Sequence, residues 1–195
     1  MLDLEPATRA FSDLLAGVRD DQLADPTPCA RACLGDLIDH VDGVSIAFCA
    51  AARKVPLAES AQPPTADVAR LDADWRSQVP ERLAGLSAAW GDEDAWAGLT
   101  SAGGIELPAE VAGVVALNEV IVHGWDIAVA SGQHMSCDPH LAEEAFAFVQ
   151  STVAAHPHGS AGLFGAPVPV PDAAPLMERL IGLTGRDPAW RPARG

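Results

Sequence analysis

The chain has 195 residues, 49% hydrophobic and 20% charged, a globular composition that excludes disorder and gives one domain enough length for a sizeable core. Its 27 Asp and Glu against 12 Lys and Arg leave a formal net charge of −15, which repels phosphate backbones and anionic lipid, so neither nucleic acid nor membrane is an expected partner. No apolar run long enough to span a bilayer is free of charge, and MLDLEPATRAF lacks a basic stretch followed by an apolar one, so a cytoplasmic location is expected.

Ala7, Ala10, Phe11, Leu14, Leu15 and Val18 recur at helical spacing and predict a first helix from about Glu5 to Asp20, ended by the turn signal DPTP at Asp25–Pro28. A second helix is expected from about Leu34 to Arg53. Leu34, Leu37, Ile38, Val41, Val44 and Phe48 form its core stripe, and His40 lies on that stripe. A polar, proline-bearing connection, Lys54–Pro64, leads to a third helix expected from about Thr65 to Ala88. Val68, Leu71, Trp75, Val79, Leu83 and Leu86 share one face of it, and Pro80 is expected to kink or divide it. Gly91–Pro108 is too rich in glycine for a helix and reads as a loop with a short hairpin or extended pieces, placing Pro108 in the first turn of the next helix.

That next stretch, VAGVVALNEVIVHGWDIAVASG from Val111 to Gly132, is apolar nearly all round, as befits a helix in the middle of a bundle. Glu119 and His123, four residues apart, project from one face, and Asp126 falls on that face too. A carboxylate in so apolar a setting must be paired, hydrogen-bonded or bound to a metal. An i, i+4 Glu and His pair offers two metal ligands from one rigid element, with a third required from another helix. His40 is the candidate third. The same spacing also suits a buried His and Glu hydrogen bond with no metal, and an imidazole on an apolar face suits a satisfied core histidine.

Gly132 is a natural helix stop. Asp138 and Pro139 cap a further helix reaching about Ala155, with Leu141, Ala145, Phe148, Val149 and Val153 on its buried side. The Gly- and Pro-rich stretch His156–Pro171 is expected to be extended and packed across the bundle, with His156 and His158 solvated. A last short helix is expected over Pro175–Leu183, followed by GRDPAW. The four cysteines, Cys29, Cys33, Cys49 and Cys137, form no spaced pair of pairs and are read as reduced and structural. With no internal repeat or linker, residues 1–195 are read as a single domain.

Three stretches together resemble a known family. TPCARACLGDLIDHV resembles the TPC…DLxxHV opening of the second helix in the DinB/YfiT-like metal-binding proteins, in particular the actinobacterial group related to the N-terminal domain of mycothiol-dependent maleylpyruvate isomerase. NEVIVHGWDIAVASGQ resembles that group's ExxxHxWDxAxAxGQ helix, and FGAPVPVPDAAPLMERLIGLTGRDPAW resembles its C-terminal signature. The resemblance implies an all-α, DinB-like four-helix bundle of up-down-down-up type with extra C-terminal helices and an extended Pro-rich segment. It also implies a divalent metal held by His40, Glu119 and His123, with Asp126 hydrogen-bonding a ligand or a neighbouring helix and Trp125 packing. The chain departs from the group in having Ala32 where a Trp is usual and Cys33 where a better helix cap is usual. It is also expected to lack the isomerase's separate C-terminal domain.

The function implied is that of a mycothiol-dependent, or other low-molecular-weight-thiol-dependent, transferase or isomerase in which the metal activates the thiol towards a small-molecule electrophile. Zinc is the first candidate, and nickel, iron and manganese suit the same ligands. A metal-dependent hydrolase is a second reading and would need a general base, for which Asp126 is the candidate. A non-catalytic metal- or ligand-binding protein is a third, and a structural zinc would need a fourth ligand such as Cys49 or His134. A homodimer through an exposed apolar helix face is compatible with all three.

Overall fold

The computed structural model describes residues 1–30, 32–55, 66–160 and 162–192. Four helices form the bundle: α1 (Glu5–Gly17), α2 (Leu34–Ala52), α3 (Trp75–Trp90) and α4 (Ala109–Ser131). Helices α1 and α2 each pack between α3 and α4. The cross-connections fix their directions. At one end, Arg76 of α3 donates to the Leu15 carbonyl of α1, Gln133 just past α4 donates to the Leu14 carbonyl, and the Gly35 amide of α2 reaches the Leu23 carbonyl. This end therefore holds the C-termini of α1 and α4 and the N-termini of α2 and α3. At the other end, Thr100 donates to the Ala51 carbonyl at the close of α2, Ala109 opens α4 on the Gly98 carbonyl, and Trp96 donates to the Trp90 carbonyl at the close of α3. The order is up-down-down-up, as the resemblance implied.

Each helix follows from its stripe of apolar residues. Phe11 and Leu15 of α1, Leu34, Leu37, Ile38 and Val41 of α2, Leu83 and Leu86 of α3, and Leu117 and Ile121 of α4 meet in one core and are at most 1% exposed. Helix α4 is also long and apolar enough to cross a membrane, but 67% of its most apolar window is buried inside the protein, and that burial accounts for its composition. It stops where expected, at Gly132, whose φ of +74° lets the Gln133 amide turn back to the Ala128 carbonyl.

The third helix departs from expectation. It begins at Trp75, not near Thr65, which with most of the Lys54–Pro64 connection lies outside the described residues. Aspartates divert the backbone before it. Asp67 accepts from the Ala69 amide and Asp72 from the Asp74 amide, while Asp36 and Asp39 of α2 take the amides of Val68 and Asp67. Such side-chain acceptors compete with helical bonding. Once begun, α3 runs through Pro80 without a break, contrary to the expected division. The first helix is also shorter than predicted, ending at Gly17, with a separate single turn at Asp20–Gln22.

The glycine-rich stretch is a hairpin, β1 (Leu99–Ala102) paired antiparallel with β2 (Ile105–Pro108), and Gly103 and Gly104, both at positive φ, make its two-residue turn. Pro108 closes β2 and caps α4 instead of sitting inside it. After the bundle, α5 (Pro139–Ala155) packs on α4 and α6 (Leu176–Leu183) on α5. Asp138 caps α5 by accepting from the amides of His140 and Leu141.

The Pro-rich stretch between α5 and α6 lies along the end of α6: Val168 donates to the Gly182 carbonyl and Gly165 to the Thr184 carbonyl. There the backbones of Gly165 and Gly185 pass in contact. A Cβ on Gly185 would lie 2.8 Å from two Gly165 backbone atoms, and Gly185 has a φ of +87°. Gly132 shares the positive φ, but its Cβ would meet open space. Gly132→Ala should therefore cost only the left-handed penalty of about 1–2 kcal/mol. Gly185→Ala should cost that and an overpacking cost of about 1–3 kcal/mol more. Equal losses in chemical denaturation would refute the close crossing.

Candidate metal centre

His40 lies in the second turn of α2, and Glu119 and His123 lie one turn apart on α4, so the antiparallel contact of these two helices brings residues 79 apart in sequence together. Glu119 Oε2 is 3.3 Å from His40 Nε2 and 3.3 Å from His123 Nε2. The imidazole rings meet edge to face with centroids 5.0 Å apart, and the three donor atoms all lie within 4.8 Å of one another. The side chains of His40, Glu119 and His123 are 20%, 19% and 12% exposed. Solvent reaches them.

Asp126, on the other side of His123, is fully buried. Its Oδ2 accepts from His123 Nδ1 at 3.0 Å, and Arg186 grips both its oxygens, Nε at 2.8 and 3.0 Å and Nη2 at 2.8 Å. Positive and negative groups thus alternate from Arg186 through Asp126 and His123 to Glu119. Burial by itself would raise the Glu119 carboxyl, but hydrogen bonds from His123 and His40 outweigh it and hold Glu119 far below the usual carboxylate range. Burial would lower His123, yet the hydrogen bonds to Asp126 and Glu119 push it up to about 9. Burial would likewise raise Asp126, and Arg186 with His123 keeps it low. Each charge inside the bundle is compensated by the next.

The structure brings together His40, Glu119, His123 and Asp126, and it adds Arg186. That residue was passed over because its partner lies 60 residues away in sequence. The signal was the unpaired Asp126 on an apolar helix, which required a cation from elsewhere in a chain with 12 Lys and Arg. Two expectations are corrected. Asp126 does not present an oxygen to an open position as a general base would, because both oxygens are engaged and sealed from solvent. Cys49 and His134 do not complete a four-ligand sphere: Cys49, further along α2, donates to the Gly85 carbonyl of α3, and His134 is exposed beyond α4. Among the described residues no other His, Cys, Asp or Glu joins the three. His156 and His158 are exposed, as expected. Burial, aided by Asp138, pushes the Cys137 thiol up to about 11, and burial with the bond to Asp36 raises Cys33, so neither is poised as a thiolate.

Residues 4–128 match the family described as mycothiol maleylpyruvate isomerase N-terminal domain. Two uncharacterized proteins of Mycobacterium tuberculosis, MT0763 of strain CDC 1551 / Oshkosh and Rv0738 of strain H37Rv, are each 32% identical over 183 residues, covering 92% of this chain and 93% of theirs. The crystal structure of the mycothiol-dependent maleylpyruvate isomerase matches the fold with a TM-score of 0.68 at 19% identity, covering 95% of this chain and 88% of that one. A mutant of that isomerase with one histidine changed to alanine matches with a TM-score of 0.60 at 20% identity, covering 80% and 70%. The common fold thus extends over most of both chains. The all-α, DinB-like bundle is the fold observed, and the chain belongs to the mycothiol maleylpyruvate isomerase N-terminal domain family.

Proposed function

We propose that His40, Glu119 and His123 hold one divalent metal ion, and that the protein is a mycothiol-dependent transferase or isomerase acting on a small electrophile. The observation that carries the metal is the pair of 3.3 Å separations from Glu119 Oε2 to the two Nε2 atoms. Those distances are long for charge-assisted hydrogen bonds, which run at about 2.7–2.9 Å. They equal the edge of a tetrahedron built on metal–ligand bonds of about 2.0–2.1 Å. The donor set, two imidazoles and one carboxylate, suits zinc first, and nickel, iron or manganese as well.

The thiol half of the reading rests on the family and on the likeness to the mycothiol-dependent isomerase. Bound at these residues, the ion would supply Lewis-acid chemistry, favouring the thiolate form of a low-molecular-weight thiol at its open position. The chain's own contribution is orientation and charge. Asp126 fixes His123 by its Nδ1, leaving Nε2 to face Glu119 and His40. Glu119 brings one negative charge against two neutral ligands, so the loaded centre retains net positive charge to attract a thiolate. The three side chains are partly exposed to solvent, and the reading requires no protein cysteine as nucleophile. The hydrolytic reading loses its candidate base, since Asp126 is fully engaged.

Elemental analysis of protein purified without added metal should find about one equivalent in the parent and little in His40→Ala or His123→Ala. Full metal content in the folded variants would refute the three-residue site. In cobalt-substituted protein, mycothiol should perturb the visible absorption. An unchanged spectrum at saturating thiol would count against thiol dependence while leaving the metal site standing.

A further inference from the structure

The Arg186 side chain is 10% exposed, and among the described residues its three side-chain hydrogen bonds all go to Asp126. Among the described residues Asp126 has one other hydrogen-bond partner, His123 Nδ1. The hydrogen bonds of Arg186 therefore reach the candidate centre through a single relay, while its charge also acts across space on Glu119. We infer that Arg186 is a positioning residue: through Asp126 it fixes the His123 ring with Nε2 towards Glu119 and His40, and the crossing of Gly165 over Gly185 holds Arg186 where it can do so.

The backbone carries the second half of this inference. Arg186 follows directly on Gly185, whose backbone leaves no room for a side chain against Gly165 and Ala166. The two segments are tied on both sides of the crossing, Gly165 to Thr184 and Val168 to Gly182, while the Arg186 amide returns to the Ile181 carbonyl. Thr184 is buried and donates to the same Ile181 carbonyl. The end of α6 and the Pro-rich segment together thus form a rigid mount for one side chain. Arginine suits the task better than lysine, because its planar fork engages both carboxylate oxygens and sets the carboxylate plane, whereas an ammonium acts as a point charge. A fixed carboxylate plane fixes the ring that donates to it.

The inference rests on the proposed metal site for its effect on affinity but not for its effect on the ring. Two readouts separate them. In protein stripped of metal by chelator, the parent should show a hydrogen-bonded Nδ1 proton of His123 by NMR, and Arg186→Gln should lose it. In zinc titrations against a competing chelator, Arg186→Gln and Asp126→Asn should each bind about 10–100-fold more weakly than the parent. The double variant should lose less than the sum of the two single losses, since the hydrogen bonds that tie Arg186 to the centre run through Asp126. Arg186→Lys, which keeps the charge without the fork, should fall between the parent and Arg186→Gln, and it carries the test should Arg186→Gln fail to fold. Parent-like zinc affinity and an unchanged Nδ1 proton in these variants would overturn the inference, as would additive losses in the double variant. A parent that binds no zinc yet shows the Nδ1 proton, lost in Arg186→Gln or Arg186→Lys, would refute the metal reading and leave the positioning role intact.

Discussion

A buried carboxylate cannot stand alone, and α4 carries two of them through the core of the bundle. Asp126 has no access to water, and Glu119 has little. Each requires positive or hydrogen-donating neighbours in a medium where an unpaired charge is strongly destabilising. His40 from α2, His123 from α4 itself and Arg186 from beyond α6 meet that need. Three separate parts of the chain are thereby committed to fixed places around one helix.

The arrangement of the bundle makes this meeting possible. Because α2 and α4 are antiparallel neighbours, the second turn of α2 falls beside the middle turns of α4, which carry Glu119 and His123. The opposite end is closed by the hairpin and by Trp90 and Trp96, whose indoles pack edge to face at 5.0 Å and cover Gly113 at the start of α4. One end of the bundle is therefore committed to packing and the other half to chemistry. The parallel pair α2 and α3 demands a connection that travels back along the bundle, and Asp36 and Asp39 receive its returning strand near the start of α2.

Much of this was legible in the sequence because it depends on local periodicity. The stripes of α1, α2 and α4, the stop at Gly132 and the Asp138 cap are read within a few turns of chain, and each is realised. The i, i+4 spacing of Glu119 and His123 gave the shared face directly. His40 on its apolar stripe stood out as the candidate third ligand, and the family resemblance implied the same set, although nothing local joins residues 79 apart. The beginning of α3 was misplaced because Val68 and Leu71 continue the apolar spacing of Trp75 and Val79, while the carboxylates that divert the backbone act through specific hydrogen bonds that periodicity does not register. Pro80 was read as a breaker on its missing amide alone, but the packing of Val79, Leu83 and Leu86 in the core sustains the helix around it. Arg186 sits in an irregular stretch, where side-chain direction depends on the crossing of two backbones and not on any repeat.

The pairing of Asp126 with Arg186 also constrains how this protein can change over generations. Losing either residue alone leaves the other charged and enclosed, whereas an apolar pair of similar volume can fill the same space without loss of stability. The path between those two states passes through unstable intermediates at either step. Two codons 60 positions apart are thus tied into one heritable unit, and a lineage that abandons one of the pair has strong reason to abandon both.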